Sequence, residues 1–230
     1  MFMYFDPYYY LVILGAILCL IASARVKTTF NKYSKIRSMS GITGAEAAEK
    51  ILRNAGIYDV SIQRMSGNLT DHYDPRDKTL KLSDSVFNQT SVAAIGVAAH
   101  ECGHAIQHQN GYIPLRLRSA IVPVANFGSA ISWPIILIGA LIINSQTIIN
   151  LGIILFSLVV AFQLITLPVE FNASARAVHI LDETGILYGD ELKHTRKVLN
   201  AAALTYVAGA AATILQLIRL IFLFGGRDRD

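Results

Sequence analysis

Four stretches of this chain are too long and too apolar to lie on a water-soluble domain, and they limit every fold it can adopt. Residues 8–24, 119–143, 148–167 and 201–224 each approach or exceed the ~20 apolar residues that a helix needs to cross a bilayer. Backbone inside hydrocarbon must satisfy its own hydrogen bonds, and a continuous apolar run does so as a helix. Only 16% of the residues are charged, against roughly 25% in soluble domains. The formal charge of +4 could suggest nucleic acid, but the basic residues cluster beside apolar segments, where they set membrane orientation. No nucleic-acid partner is expected.

The first apolar run opens with tyrosines suited to an interface and ends in Ala22-Ser23-Ala24, which imitates a signal-peptide cleavage site. No Lys or Arg precedes it, whereas Arg25, Lys27, Lys32, Lys35 and Arg37 follow it. By the positive-inside rule the run is an uncleaved anchor with its N-terminus outside and the basic cluster in the cytoplasm. The expected organisation is an anchor at 1–24, a cytoplasmic region at 25–118, a transmembrane hairpin at 119–168, a cytoplasmic segment at 169–200, and a spanning or re-entrant helix with tail at 201–230. Arg219 interrupts the last run and leaves its path open. Cys19 and Cys102, one in an apolar run and one beside histidines, are expected to be free thiols.

The region at 25–118 reads as α+β. Thr43 and Glu46 form a capping box at a helix start, and Gly56 is a C-terminal stop. "YDVSIQRM" alternates like a half-buried strand, and a second short strand falls at 79–82, after a turn through Asp74-Pro75. Asp71 and Asp74 suit turn capping. A helix starting near Thr90 or Ser91 runs to about Asn110, where Gly111 stops it.

That helix carries "HECGH". His100 and His104, four residues apart, project from one helical face and can share a zinc ion, while Glu101 can hold and deprotonate an attacking water. A chain with this His and Glu content is expected to contain the pattern by chance on the order of 0.004 times. Two histidines and a water leave zinc one ligand short. His108 lies about two turns from His100 on the same helix, which suits a supporting or interfacial role better than a third bond. His72 and His179 carry no spacing argument. Glu170 is the strongest candidate, because Pro168 is expected to start a new helix where the hairpin re-enters the cytoplasm. Ala173, Ser174 and Ala177 share its face and would let that helix pack closely on the histidine helix.

"TDHYDPR", "LKLS", "HECGHAIQH", "LPVEFNAS" and "AAALTYVA", in that order, resemble the YugP-type neutral zinc metallopeptidases of bacterial membranes. The likeness extends over nearly the whole chain. It implies an integral membrane zinc endopeptidase of the gluzincin kind, distantly similar to HtpX-type and CAAX prenyl proteases, with Glu170 as third ligand. Gluzincins often place an aspartate four residues after that glutamate to orient the first histidine. Here the position is Ser174, which has the right face, whereas Asn172 does not. Tyr206, Arg176 and His179 are candidates for stabilising the oxyanion, each with a structural alternative.

The resulting expectation is a mainly α, polytopic protein of the bacterial cytoplasmic membrane, with about four transmembrane helices and a small α+β metallopeptidase region facing the cytoplasm. It would hold one Zn2+ per chain and hydrolyse peptide bonds of membrane or membrane-adjacent proteins. The strand at 79–82, just before the catalytic helix, is a candidate for pairing with an extended substrate. The alternatives are a zinc-stabilised scaffold or chaperone, disfavoured by the intact Glu101, and a metal transporter, disfavoured because the ligands lie outside the apolar runs.

Overall fold

The computed structural model describes residues 6–225; the first five residues of the anchor and the last five of the tail lie outside the described residues. The chain is mainly helical. The elements are α1 (Tyr9–Tyr33), α2 (Gly44–Asn54), β1 (Ser61–Met65), β2 (His72–Asp74), β3 (Thr79–Ser83), α3 (Val92–Gln109), α4 (Ile113–Leu137), α5 (Gln146–Glu183) and α6 (Asp190–Phe224). Four helical stretches are long and apolar enough to cross a membrane: Tyr9–Tyr33, Ile113–Ile143, Gln146–Glu183 and Asp190–Phe224. They coincide with the four apolar runs, but the helices outrun them. α1 continues past Arg25 to Tyr33, and α6 starts at Asp190, well before its apolar part.

Two compact units emerge, and neither is continuous in sequence. The first comprises residues up to Ala22, Leu117–Leu167 and the chain from Thr205. Here small residues set the helix spacing, as is usual where no hydrophobic gain drives helices together. A Cβ on Gly128 would stand 2.6 Å from the Leu155 carbonyl oxygen, and one on Gly152 would stand 2.5 Å from the Ile136 side chain. α4 contains Pro123 and Pro134 and passes into a π-helical stretch, Ile138–Ile143, that ends at Asn144 in a left-handed conformation (φ 49°). Arg219 neither breaks α6 nor stays unpaired: its Nε donates to Asp6 Oδ2 at 2.6 Å. Its guanidinium lies 5.8 Å from the Tyr9 ring centroid and 6.0 Å from that of Trp133, within cation–π range.

The second unit comprises Ser23–Arg116 and Pro168–Leu204. Its sheet has the order β1-β3-β2, with β1 parallel and β2 antiparallel to β3. The strand at 79–82 is therefore the central one. Both of its edges are occupied, so it cannot pair with a substrate, and the open edges belong to β1 and β2. β2 itself was hidden in sequence by the polar, turn-rich composition around it. The α2 capping box forms as the Thr43–Glu46 spacing predicts, and Ser91 caps α3. Ile51, Leu80, Leu82, Ile95, Leu181 and Leu187 are fully buried in one core.

Pro168 does not start a helix. α5 runs unbroken from Gln146 to Glu183 with Pro168 inside it. A proline removes one backbone hydrogen bond and kinks a helix, yet long apolar helices absorb the loss when neighbouring packing fixes both sides. Glu170 thus lies on the same helix as the third apolar run, three residues beyond Leu167.

Breaking the Arg219–Asp6 pair strands a carboxylate in an apolar setting, which costs about 3 kcal/mol. Arg219→Met should therefore lower the thermal unfolding temperature in detergent, and Asp6→Asn added to it should restore most of the loss.

Candidate metal centre

Helix α3 presents His100, Glu101 and His104 because its N-cap and apolar face lock its rotation. Val92, Ala93, Ala94, Ile95, Ala98, Ala99 and Cys102 are fully buried against the core, which leaves the two imidazoles on the opposite, partly open side. Cys102 anchors that buried face. Its thiol donates to the Ala48 carbonyl at 3.7 Å, and burial pushes it well above the usual thiol pKa. Both cysteines are free.

Helix α5 approaches α3 at Gly103. A Cβ there would stand 2.7 Å from the Ala173 carbonyl oxygen, so only glycine permits this crossing. Ala173 and Ala177 are fully buried in it. The consequence is that Glu170, one turn before Ala173 and only 2% exposed, meets both histidines. Its Oε2 lies 3.3 Å from His100 Nε2 and 3.5 Å from His104 Nε2. The two rings stand edge to face, 4.8 Å apart at 86°. His100, His104 and Glu170 form a group whose ligand atoms lie within 4.8 Å of one another.

The donor set fits a zinc ion. Zn–N and Zn–O bonds of about 2.0–2.2 Å in a tetrahedron put ligand atoms roughly 3.3–3.6 Å apart, and the two carboxylate–imidazole distances match that spacing. The proton assignment points the same way. His104 Nδ1 lies 3.0 Å from Gln107 Oε1, an atom that only accepts. Nδ1 therefore carries the hydrogen, which leaves Nε2 as the ring atom that faces the Glu170 carboxylate and could bind a metal.

Each imidazole is held from behind, as metal-binding histidines generally are. Ser174 Oγ meets His100 Nδ1 at 3.1 Å. Gln107, fully buried, fixes His104 and is itself fixed: its Nε2 donates to the Val169 carbonyl at 2.8 Å and to Asn172 Oδ1 at 3.0 Å. Arg176 Nε donates to the same Asn172 oxygen at 2.8 Å. Sequence reasoning missed Gln107. Its signal was a glutamine one helical turn after His104, which looks like any solvent-facing helix position until its burial is known.

The remaining expected residues are found elsewhere. His108 is exposed and its Nδ1 meets the Tyr73 hydroxyl at 2.9 Å, tying α3 to β2. His179 is exposed and lies 3.3 Å from Glu183. His72 Nδ1 lies against the Thr70 carbonyl oxygen. Tyr206 belongs to α6 within the other unit, half-buried. Glu101, by contrast, lies next to His100 on α3 and is 8% exposed. Asp71 accepts from Ser83 N at 2.7 Å and Ser83 Oγ at 2.9 Å; burial raises its pKa, and the nearby negative charge of Glu101 adds to that rise. Asp74 pairs with Arg76, whose hydrogen bonds hold it well below the usual carboxylate range.

Comparison with known proteins agrees with this chemistry. A family described as "Putative neutral zinc metallopeptidase" matches residues 8–225. The chain is similar to "Putative membrane protease YugP" of Bacillus subtilis (strain 168), with 49% identity over 210 residues, covering 91% of this chain and 93% of that protein. No solved structure matches.

Gln107→Leu should remove the acceptor that fixes His104 without changing the side chain's bulk much. Zinc affinity, measured by competition with a chelating dye, should fall by roughly 10–100-fold, and His104→Ala should abolish stoichiometric binding.

Proposed function

Because this chain belongs to the neutral zinc metallopeptidase family, we propose that it is a membrane zinc endopeptidase whose ligands are His100, His104 and Glu170 and whose general base is Glu101. The observation that carries this reading is the convergence of two Nε2 atoms and one carboxylate oxygen within 4.8 Å around a His-Glu-x-x-His helix. When bound there, zinc supplies a Lewis acid that acidifies water and polarises a peptide carbonyl.

The protein's own groups do the rest. Glu101 accepts the proton of the attacking water on a carboxylate oxygen and returns it to the departing amine nitrogen. Ser174 and Gln107 hold the two imidazoles in orientation, so that no rotation is needed as the reaction proceeds. The intact base separates this site from a structural zinc, which usually takes four protein ligands.

Membrane or membrane-adjacent polypeptides are the proposed substrates. Four membrane-length helices support this, as does the position of Glu170 three residues beyond the end of an apolar run on one continuous helix. The basic residues that follow the first run favour a cytoplasmic active site, an N-terminus outside, and residence in the bacterial cytoplasmic membrane.

Purified wild type and Glu101→Gln in detergent test the reading. Both should hold one zinc per chain, and cleavage of an unfolded protein substrate should fall at least about 10²-fold in the variant. Equal cleavage by the two forms would remove Glu101 from the chemistry, and zinc binding without cleavage by either would favour a scaffold.

A further inference from the structure

The basic residues after the first apolar run build something besides topology. Arg25, Thr28, Thr29 and Lys32 recur on α1 at the spacing that puts them on one helical face. Lys197, Asn200, Ala201 and Leu204 do the same on α6. The two stripes, with Tyr33, line a cavity of about 360 Å³. Three of its lining residues are cations and none is a carboxylate. Arg25, Lys32 and Lys197 form no ion pair among the described residues, and the Lys32 ammonium lies 5.5 Å from the centroid of the Tyr33 ring, itself part of the lining. Three like charges around one cavity repel one another, and an anion bound among them relieves that repulsion.

We propose that this cavity binds the phosphate of an anionic phospholipid headgroup. Phosphate is the anion whose several oxygens can be shared among a guanidinium, two ammonium groups and hydroxyl or amide donors. The placement along each helix argues for lipid as its source. Arg25 is the first charged residue after the apolar run of α1, and Asn200 is the last polar residue before the apolar run of α6. The lining thus lies where both helices change from apolar to polar, the level at which headgroups sit, and basic pockets between helices at that level bind anionic lipids. Leu204, one turn into the apolar part of α6, offers a wall to the glycerol end of the lipid. The inference stands on the cavity alone and does not depend on peptidase activity.

The full chain, purified in a neutral detergent, is titrated with short-chain phosphatidylglycerol, phosphatidylcholine of the same chain length, and inorganic phosphate, following thermal unfolding. Phosphatidylglycerol should raise the unfolding temperature and phosphatidylcholine should not. Lys32→Gln/Lys197→Gln should need about 10-fold more phosphatidylglycerol for the same shift. Lys27→Gln/Lys35→Gln, which removes equal charge outside the cavity, should follow wild type. Equal responses of the two double variants, or equal effects of the two lipids, would overturn the proposal. Inorganic phosphate matching phosphatidylglycerol in wild type, with both effects lost in the cavity variant, would replace the lipid by a soluble phosphate. If the cavity variant does not fold, native mass spectrometry of wild type and Arg25→Gln decides. Loss of retained phosphatidylglycerol supports the site, and unchanged retention overturns it.

Discussion

The close crossing of α3 and α5 is the contact on which the candidate metal centre depends. With the Ala173 carbonyl 2.7 Å from where a Gly103 Cβ would stand, the two helices are as near as backbones allow. Any side chain at Gly103 would push α5 outward and carry Glu170 away from both imidazoles. The His-Glu-x-x-His spacing guarantees only that two rings share a face. The carboxylate proposed as third ligand comes from a residue 66 positions after His104, and its arrival is a matter of helix packing. Gly103 lies between the ligands in sequence, so one short stretch supplies both the chemistry and the clearance it needs.

Around that crossing several buried polar groups are joined in one network. His104, Gln107, Asn172 and Arg176 form a chain of hydrogen bonds running from the ligand toward the half-buried face of α5. A buried glutamine is costly if half-satisfied; here its nitrogen has two acceptors and its oxygen one donor. The direction of the chain then settles which nitrogen of His104 is free. His100 is held by a hydroxyl, which can donate or accept, so its tautomer is set by less. The two histidines are therefore unequal: one is locked by a rigid amide network and the other by a rotor.

How much of this was legible in sequence follows from the range of the interactions involved. The capping box at Thr43, the strand at Thr79–Ser83 and the ends of α3 are local matters of propensity and hydrogen bonding within a few residues, and they read correctly. The apolar runs were equally plain, since bilayer thickness alone dictates their length. Pro168 misled because proline reads as a boundary only when the helix has nothing else to hold it together. β2 misled because three residues paired to a neighbour leave no periodicity to detect. The central position of β3 is a question of strand order, about which alternation says nothing, and so the pairing edge was misjudged. Gln107 lay beyond reach for a similar reason: its role rests on burial, and burial of that face is created by α5.

The same logic explains why the charged residues of the membrane helices resist reading one at a time. Arg219, alone in an apolar run, has two conventional fates: a polar boundary or a functional path. Its actual partner is Asp6, more than two hundred residues earlier, with two aromatic faces completing the enclosure. An arginine within a span is tolerable when its charge is matched and its flat faces are covered, because the unmatched alternative is so costly that the pairing is strongly selected during folding. Arg25, Lys32 and Lys197 present the opposite arrangement, three cations lining one cavity with no carboxylate among its walls. The anionic headgroup proposed for that cavity would supply a counter-charge that its own walls do not.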